Sequence, residues 1–372
     1  MRILYGIAGD GIGHAVRSAV IIEELLRRGH EVRIVVSGSA KDYIEEKFPD
    51  VTEIWGLSVV TRGNKISEAL TIAANVREGL APSGLPRNIY QQFKVARQFD
   101  PDVVITDCEL WSWFFGALRD VPVIGLDNVH QLTRCSHPAD VIGDIDERYP
   151  LARFVVQARV PSAEHYLVST FAPSEPEKEN TTLVPPILRD AILEATPSDG
   201  EHLLVYQTSY SKYDLVPVLR ELDYPVRVYG LEEGIDRPKQ IENVELRPFS
   251  ESGFIEDLAS CRAVVGSAGF TLMTEALHHG KPYFAIPVEG QIEQMLNARY
   301  LDWLGYGSYA SEPKAPTIQR FLDRLPEFRS NLESYERHDN EPTFDALQTM
   351  LDRYAHEPGY ENRKSQPARS AP

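Results

Sequence analysis

The sequence predicts two doubly wound, parallel-sheet α/β domains that face each other across a cleft, and three observations carry the prediction. Apolar runs that read as buried strands alternate with helical stretches through the first third of the chain. The alternation loosens around residues 161–199, a segment rich in Pro, Ser and Glu, and then restarts. At 372 residues, with 42% hydrophobic and 25% charged content, the chain has the length for two domains of about 150 to 200 residues, each burying its own core.

The elements follow in order. RILYGIA (2–8) reads as the first strand, AVRSAVIIEELLRRG as a helix stopped by Gly29, and EVRIVVSG (31–38) as the next strand. VTEIWGL and a long helical stretch precede the strand PDVVITD, which ends at Asp107, a helix through Leu118, and the strand VPVIGLD, which ends at Asp127. In the second half, HLLVYQTS, VRVYGLE, NVELRPF, AVVGSAG and KPYFAIPV read as strands, separated or followed by the helices DLVPVLREL, FIEDLASC, TLMTEALHHG and EQMLNARYLDWLG. The expected boundaries are an N-terminal domain over 1–185, a C-terminal domain over 186–340, a closing helix over 341–356 and a polar, Pro-rich tail over 357–372 expected to be disordered. Ligands of such folds bind at the carboxyl ends of the strands.

Composition excludes several classes. A formal charge of −17 opposes nucleic-acid binding, which needs Lys and Arg to displace phosphate counterions. The apolar run after Met1-Arg2 is too short for a signal peptide and no window resembles a membrane span, so the expected location is cytoplasmic. Cys108, Cys135 and Cys261 have no metal-ligand spacing and are expected to be reduced and structural.

The stretch GIAGDGIGHAVRS (6–18) places glycines between a strand and a helix, as a dinucleotide fingerprint does. His14 stands where the third glycine belongs, however, and the second strand ends in Ser37-Gly38-Ser39 without the ribose-binding carboxylate, so a nicotinamide or flavin is not expected. Gly11 and Gly13 then form a loop at the mouth of the cleft, and His14 has two readings: a structural residue that caps the helix or bonds a loop carbonyl, or a base of pKa near 6.5 that takes a proton from a substrate hydroxyl. Asp107, at the end of its strand, is the candidate partner that would fix the imidazole tautomer, unless it caps the following helix. His130, in GLDNVHQL, is a rival pocket histidine. Trp111-Ser112-Trp113-Phe114-Phe115 reads as helix core more readily than as an acceptor platform.

A second constellation runs from Val264 to Leu301. Gly266-Ser267-Ala268-Gly269 forms a small-residue turn before a helix starting near Thr271, an anion site built from backbone N–H groups and the helix dipole. Glu275, one turn beyond Thr271, lies within reach of ribose hydroxyls, and Glu293, Gln294 and Asn297 return polar groups to the cleft.

Together these blocks resemble the GT-B glycosyltransferases of the UDP-glycosyltransferase and MurG-like type. That family's signature of a small-residue turn, Glu, H-G-x-P, a strand ending in Pro and D-Q-x-x-N-A is matched by Ser267–Glu275, His279-Gly280-Lys281-Pro282, Ile286-Pro287 and Glu293–Ala298. Gly11–His14 and Asp107 match its N-terminal loop and paired aspartate. The resemblance spans roughly residues 1–305 and extends to an uncharacterised prokaryotic branch of the superfamily.

What the resemblance implies is a GT-B fold and inverting transfer of a sugar (a hexose or N-acetylhexosamine) from a UDP-sugar to a hydroxyl acceptor, with His14 as base and Asp107 orienting it. It further implies that Ser267, Gly269 and Thr271 contact the diphosphate, Glu275 the ribose, Glu293 and Gln294 the sugar, Thr208 and Ser209 a phosphate, and Phe249 the base. Two departures stand out: Ser267 replaces a histidine of plant-type members, and Glu293 an aspartate. No metal or other cofactor is expected: Asp100-Pro-Asp102 precedes its strand at the end away from the cleft, and Asp144-Ile145-Asp146 lies in a loop. The local basic excess of residues 61–99 suggests an anionic, lipid-linked or cell-envelope acceptor and peripheral membrane association, or simply a solvated helix face. A UDP-N-acetylglucosamine 2-epimerase-like isomerase and a non-catalytic nucleotide-sugar-binding subunit are the alternatives.

Overall fold

A computed structural model describes residues 1–355 apart from residues 10, 63, 64, 144, 146, 147, 208–214 and 233. The tail expected to be disordered, the Asp144-Ile145-Asp146 carboxylates and the Thr208-Ser209 pair lie outside the described residues. The N-terminal strands are β1 (Arg2–Ile7), β2 (Glu31–Val36), β3 (Val51–Glu53), β4 (Val103–Asp107), β5 (Val123–Asp127), β6 (Cys135–Ser136), β7 (His165–Ser169), β8 (Glu175–Pro176) and β9 (Thr181–Val184). Seven of them form one sheet in the order β3-β2-β1-β4-β5-β7-β9, parallel throughout, while β6 and β8 pair as a separate ribbon. The C-terminal strands are β10 (Leu203–Tyr206), β11 (Val226–Tyr229), β12 (Lys239–Ile241), β13 (Val244–Leu246), β14 (Ala263–Gly266), β15 (Tyr283–Ala285) and β16 (Gly307–Tyr309). They order as β12-β13-β11-β10-β14-β15-β16, with only β12 antiparallel to its neighbour. The two-domain architecture expected from the sequence is therefore present.

Each sheet reverses its strand order once near the middle, between β1 and β4 in the first and between β10 and β14 in the second. A crevice opens at such a switch point because the connecting helices depart to opposite faces. Register places Ile7 beside Asp107 at the first and Tyr206 beside Gly266 at the second. Both sequence motifs thus start where a doubly wound sheet has room for a ligand.

Local chemistry explains the key boundaries. The helix Ile12–Arg27 follows Gly11, whose φ of 134° is a conformation that L side chains rarely adopt. It ends as predicted at Gly29, at φ 82°, where the Gly29 and His30 N–H groups bond back to Leu26 and Leu25 in a Schellman arrangement. The segment expected to be interdomain differs: HYLVS and TTLV within it are β7 and β9 of the first sheet. These short runs are held by pairing with neighbouring strands, β7 with β5 and β9, and their surrounding Pro, Ser and Glu residues concealed them from a periodicity reading.

The chain returns to the first domain at its end. The helix Glu341–Ala355 buries Phe344, Leu347, Met350, Leu351 and Tyr354 in the core that contains Ile3, Tyr5 and Ile21. Asn340 anchors it by accepting from Leu188 N at 2.9 Å and donating to Leu188 O at 2.7 Å. A second apolar seam joins the domains, with Leu132, Val141 and Val156 packed against Ile292, Leu296 and Tyr300. Among the described residues no helix is long and apolar enough to cross a membrane.

Candidate functional site

The β1–β4 register sets the first half of the site. His14 is on the first turn of the helix that leaves β1, and its Nδ1 lies 2.8 Å from Asp107 Oδ1 at the end of β4. Neither capping alternative is realised. The helix N-cap is Gly11 without a side-chain bond, and the helix after β4 is capped by Glu109, which accepts from Trp111 N and Ser112 N at 2.9 and 2.6 Å. Asp107, wholly buried, is left for His14, whose side chain keeps 14% of its surface exposed.

A residue the sequence reading did not single out completes this half. Arg17, one turn after His14, donates from Nε to Asp107 Oδ2 at 2.7 Å and from Nη2 to Oδ1 at 2.5 Å. Its Nη1 bonds Asn128 Oδ1, and Ser18 Oγ donates to Asp107 Oδ2 at 3.1 Å. Burial alone would raise the Asp107 carboxyl, but the Arg17 and His14 charges and bonds hold it well below the usual carboxylate range. Burial and the Asp107 charge push the Tyr5 phenol beneath the site upward. Arg17 Nη2 also lies 2.7 Å from His14 Nδ1. With a proton on Nδ1 the ring donates to Asp107 and leaves Nε2 as a base; without one it accepts from Arg17. The signal for Arg17 was its spacing, since positions three apart share a helix face.

The second half comes from β14. After Gly266 the chain turns through Ser267 and Ala268 to Gly269, the N-cap of the helix Phe270–His278, with no side chain bonded over its first N–H groups. This helix start meets the other domain directly: Thr271 Oγ1 donates to Gly13 O at 3.3 Å. A Cβ on Gly13 would sit 3.0 Å from Thr271 Oγ1, so the approach favours glycine. Glu293 Oε1 accepts from Asn128 Nδ2 at 2.9 Å across the cleft and from Asn297 Nδ2 at 2.8 Å.

The remaining predicted residues are placed less directly. Glu275 is 1% exposed and receives Arg189 bidentately, Nε to Oε1 at 2.8 Å and Nη2 to Oε2 at 2.7 Å. Arg189, from the segment between the sheets, also donates to Glu251 Oε1 at 2.9 Å and borders an open cavity of about 510 Å³ floored by Val16, Ala19, Val20 and Ile255. No spacing in the sequence pointed to it. Gln294 is buried and its Oε1 accepts from Val288 N at 3.0 Å, while Phe249 is exposed. His130 is 1% exposed beneath Tyr166, with Nδ1 2.6 Å from Asp127 Oδ2. Trp111 and Phe115 belong to the core, as expected.

One group among the described residues could hold a metal ion by proximity: Cys108, Asp127 and His130, whose ligand atoms lie within 4.8 Å of one another. Their separation in sequence hid this. Both Asp127 oxygens are already engaged by His130, one by its backbone N–H at 2.8 Å and one by its ring.

The chain is 24% identical over 351 residues to an uncharacterized glycosyltransferase of Methanosarcina acetivorans, covering 84% of this chain and 87% of that protein. A glycosyltransferase of Methanosarcina mazei, likewise uncharacterized, is 24% identical over 342 residues, with the same coverage. Among solved structures, Phytolacca americana UGT2 superposes with a TM-score of 0.63 at 16% identity, covering 95% of this chain and 100% of that one. Acinetobacter baumannii MurG gives a TM-score of 0.58 at 14% identity, covering 94% and 99%. These likenesses establish the GT-B fold. The model of Glycosyl transferase family 1 matches residues 1–326, which contain both sheets and every site residue named above, and the chain belongs to that family.

Proposed function

We propose that this glycosyltransferase moves a hexose or N-acetylhexosamine from a UDP-sugar to a hydroxyl acceptor, with inversion at the anomeric carbon. The observation that carries the reading is the His14–Asp107 pair set at one switch point against the open helix N-terminus at the other, with Gly13 and Thr271 in contact. In the reaction, His14 Nε2 takes the acceptor hydroxyl proton as the acceptor oxygen forms its bond to the anomeric carbon. The carbon–phosphate oxygen bond breaks on the opposite face, its electron pair leaving with UDP. The N–H groups at Ser267, Gly269 and Thr271 meet the charge that grows there, so a metal ion is not part of the scheme. The Phytolacca americana UGT2 structure is a complex with UDP-2fluoro-glucose and pterostilbene, which supports a UDP-sugar donor here.

A panel of UDP-sugars, each assayed for UDP release in the presence of EDTA, tests the donor and the metal-independent scheme together. Release that survives His14→Ala would sink His14 as base, and interconversion of UDP-sugars without an acceptor would favour the isomerase.

The acceptor is proposed to be lipid-linked, at the inner face of the cell membrane. Support comes from the helices Glu68–Leu80 and Leu85–Gln98, which expose Ile72, Val76 and Leu80, and Leu85, Ile89 and Phe93, each set at four-residue spacing. Arg77, Lys94 and Arg97 flank them, suited to anionic headgroups. Sedimentation with phosphatidylglycerol vesicles, abolished in a Leu80→Glu/Phe93→Glu variant, is the expected result; no sedimentation of the unmodified chain would remove this part of the proposal.

A further inference from the structure

Arg17 is 4% exposed, yet every guanidinium nitrogen has a partner: Nε and Nη2 on Asp107, Nη1 on Asn128. Asn128 in turn donates to Glu293, and Glu293 accepts from Asn297. The hydrogen bonds therefore run without a break from His14, on the first domain, to Glu293, on the second. Nothing in the folding of either sheet requires that chain of contacts to cross the cleft.

We propose that Arg17 is the positioning residue of the base: it fixes the Asp107 carboxylate against which His14 is held and, through Asn128, makes the charge around His14 depend on contacts at Glu293. The inference rests on the assignment of His14 as base. Its physical content is a balance of charges. Asp107 places a negative charge against the His14 ring, and Arg17, with Nη2 2.7 Å from Nδ1, places a positive one there that neutralises the aspartate. His14 itself contacts Asp107 on β4 and Arg17 on its own helix; around that pair stand Ser18 and Tyr5 near Asp107, Asn128, Asp127 and Glu293 near Arg17, and Thr271 of the opposite domain on Gly13. Among the described residues only Arg17 contacts both the aspartate and the link to Glu293. A ligand that engages Glu293 would change what Asn128 offers to Arg17, so donor occupancy would be felt at the base.

The test follows the His14 ring by NMR in the full chain, its resonance among those of ten histidines assigned by its loss in His14→Gln, and records the pH midpoint of its protonation. Arg17→Met is expected to raise the midpoint by about one pH unit or more, because the aspartate charge is no longer balanced. Arg17→Lys, which keeps the charge but cannot span Asp107 and Asn128 together, is expected to raise it by less. Should Arg17→Met not fold, Arg17→Lys decides alone: an unchanged midpoint there overturns the role of Arg17. Glu293→Ala is expected to move the midpoint in the otherwise unmodified chain and to leave it in place when Asn128→Ala is also present. Equal shifts in both backgrounds, or a shift in neither, overturn the coupling. A His14→Gln variant that keeps full UDP release would instead refute the catalytic reading, a result separable from the NMR outcome.

Discussion

Two buried arginine–carboxylate clasps face the cleft, one in each half of the molecule, and they differ in how full the carboxylate is. A carboxylate offers about four acceptor positions. Asp107 has four donors, from His14, from Arg17 twice and from Ser18, so it has nothing left to offer a ligand. Among the described residues Glu275 has two side-chain donors, both from Arg189, which occupy half of that capacity. The difference teaches that a buried carboxylate near a cleft is not one kind of residue: one is saturated by four donors, while the other is held by a single arginine.

The largest expected effect separates the two by chemistry. Asp107→Asn keeps the shape of the clasp but cannot stabilise an imidazolium at His14, and His14→Ala removes the proposed base. Each is expected to lower transfer by about 100- to 10,000-fold while leaving UDP affinity within a few-fold. Glu275→Gln should show the reverse, a loss of UDP affinity of roughly tenfold that exceeds its effect on saturated turnover. Calorimetric UDP titration beside single-turnover kinetics reads both. A Glu275→Gln chain that binds UDP normally would remove the contrast.

Stability separates them next. Asp107→Ala strands a buried Arg17 charge, for a cost of about 3–5 kcal/mol in urea unfolding. Glu275→Ala leaves Arg189 with Glu251 at 2.9 Å, so its cost should be about half as large. Equal costs would mean that Glu251 does not hold Arg189. The sign with pH follows from the depressed Asp107 carboxyl: its contribution is fully present above the ordinary carboxylate range near pH 4 and is lost as pH falls below it.

How far the clasps could be read from the chain follows from the same distinction. His14 and Asp107 were legible because strand ends and glycine turns announce themselves locally, and the strand alternation then brings those ends together. Thr271 and Glu293 were legible through an ordered motif block. Arg17 stands in view at a helical spacing from His14, but nothing local says that a strand 90 residues away delivers its partner. Arg189 gave no signal, because its place depends on how the connecting segment crosses between domains. β7 and β9 escaped for a related reason: four- and five-residue strands gain their stability from neighbours rather than from their own pattern.

A smaller effect lies behind the donor-side clasp. His279, in the H-G-x-P turn, is 5% exposed, and burial, with the charges of His278, Lys281 and Arg337, lowers it from 6.5 to about 4. A histidine depressed in this way is neutral when folded, so its contribution is present above pH 6.5 and declines as pH falls toward 4, by on the order of 2 kcal/mol. Circular dichroism of urea unfolding should show His279→Gln flattening that decline; an identical slope in the variant would place the acid sensitivity elsewhere.

The smallest effect belongs to a pair that, unlike the clasps, is wet and joins the two domains. Lys65 Nζ lies 2.6 Å from Glu289 Oε1, shorter than either Arg189–Glu275 contact, yet both side chains are more than half exposed. Water and salt screen such a pair, and ordering two long side chains offsets most of its attraction. Lys65→Ala is therefore expected to change unfolding stability by less than about 1 kcal/mol and to do so less at 0.5 M salt than at low salt. A loss comparable to that of Glu275→Ala would mean that proximity rather than burial governs these pairs, and the contrast between the filled and the half-filled carboxylate would lose its physical basis.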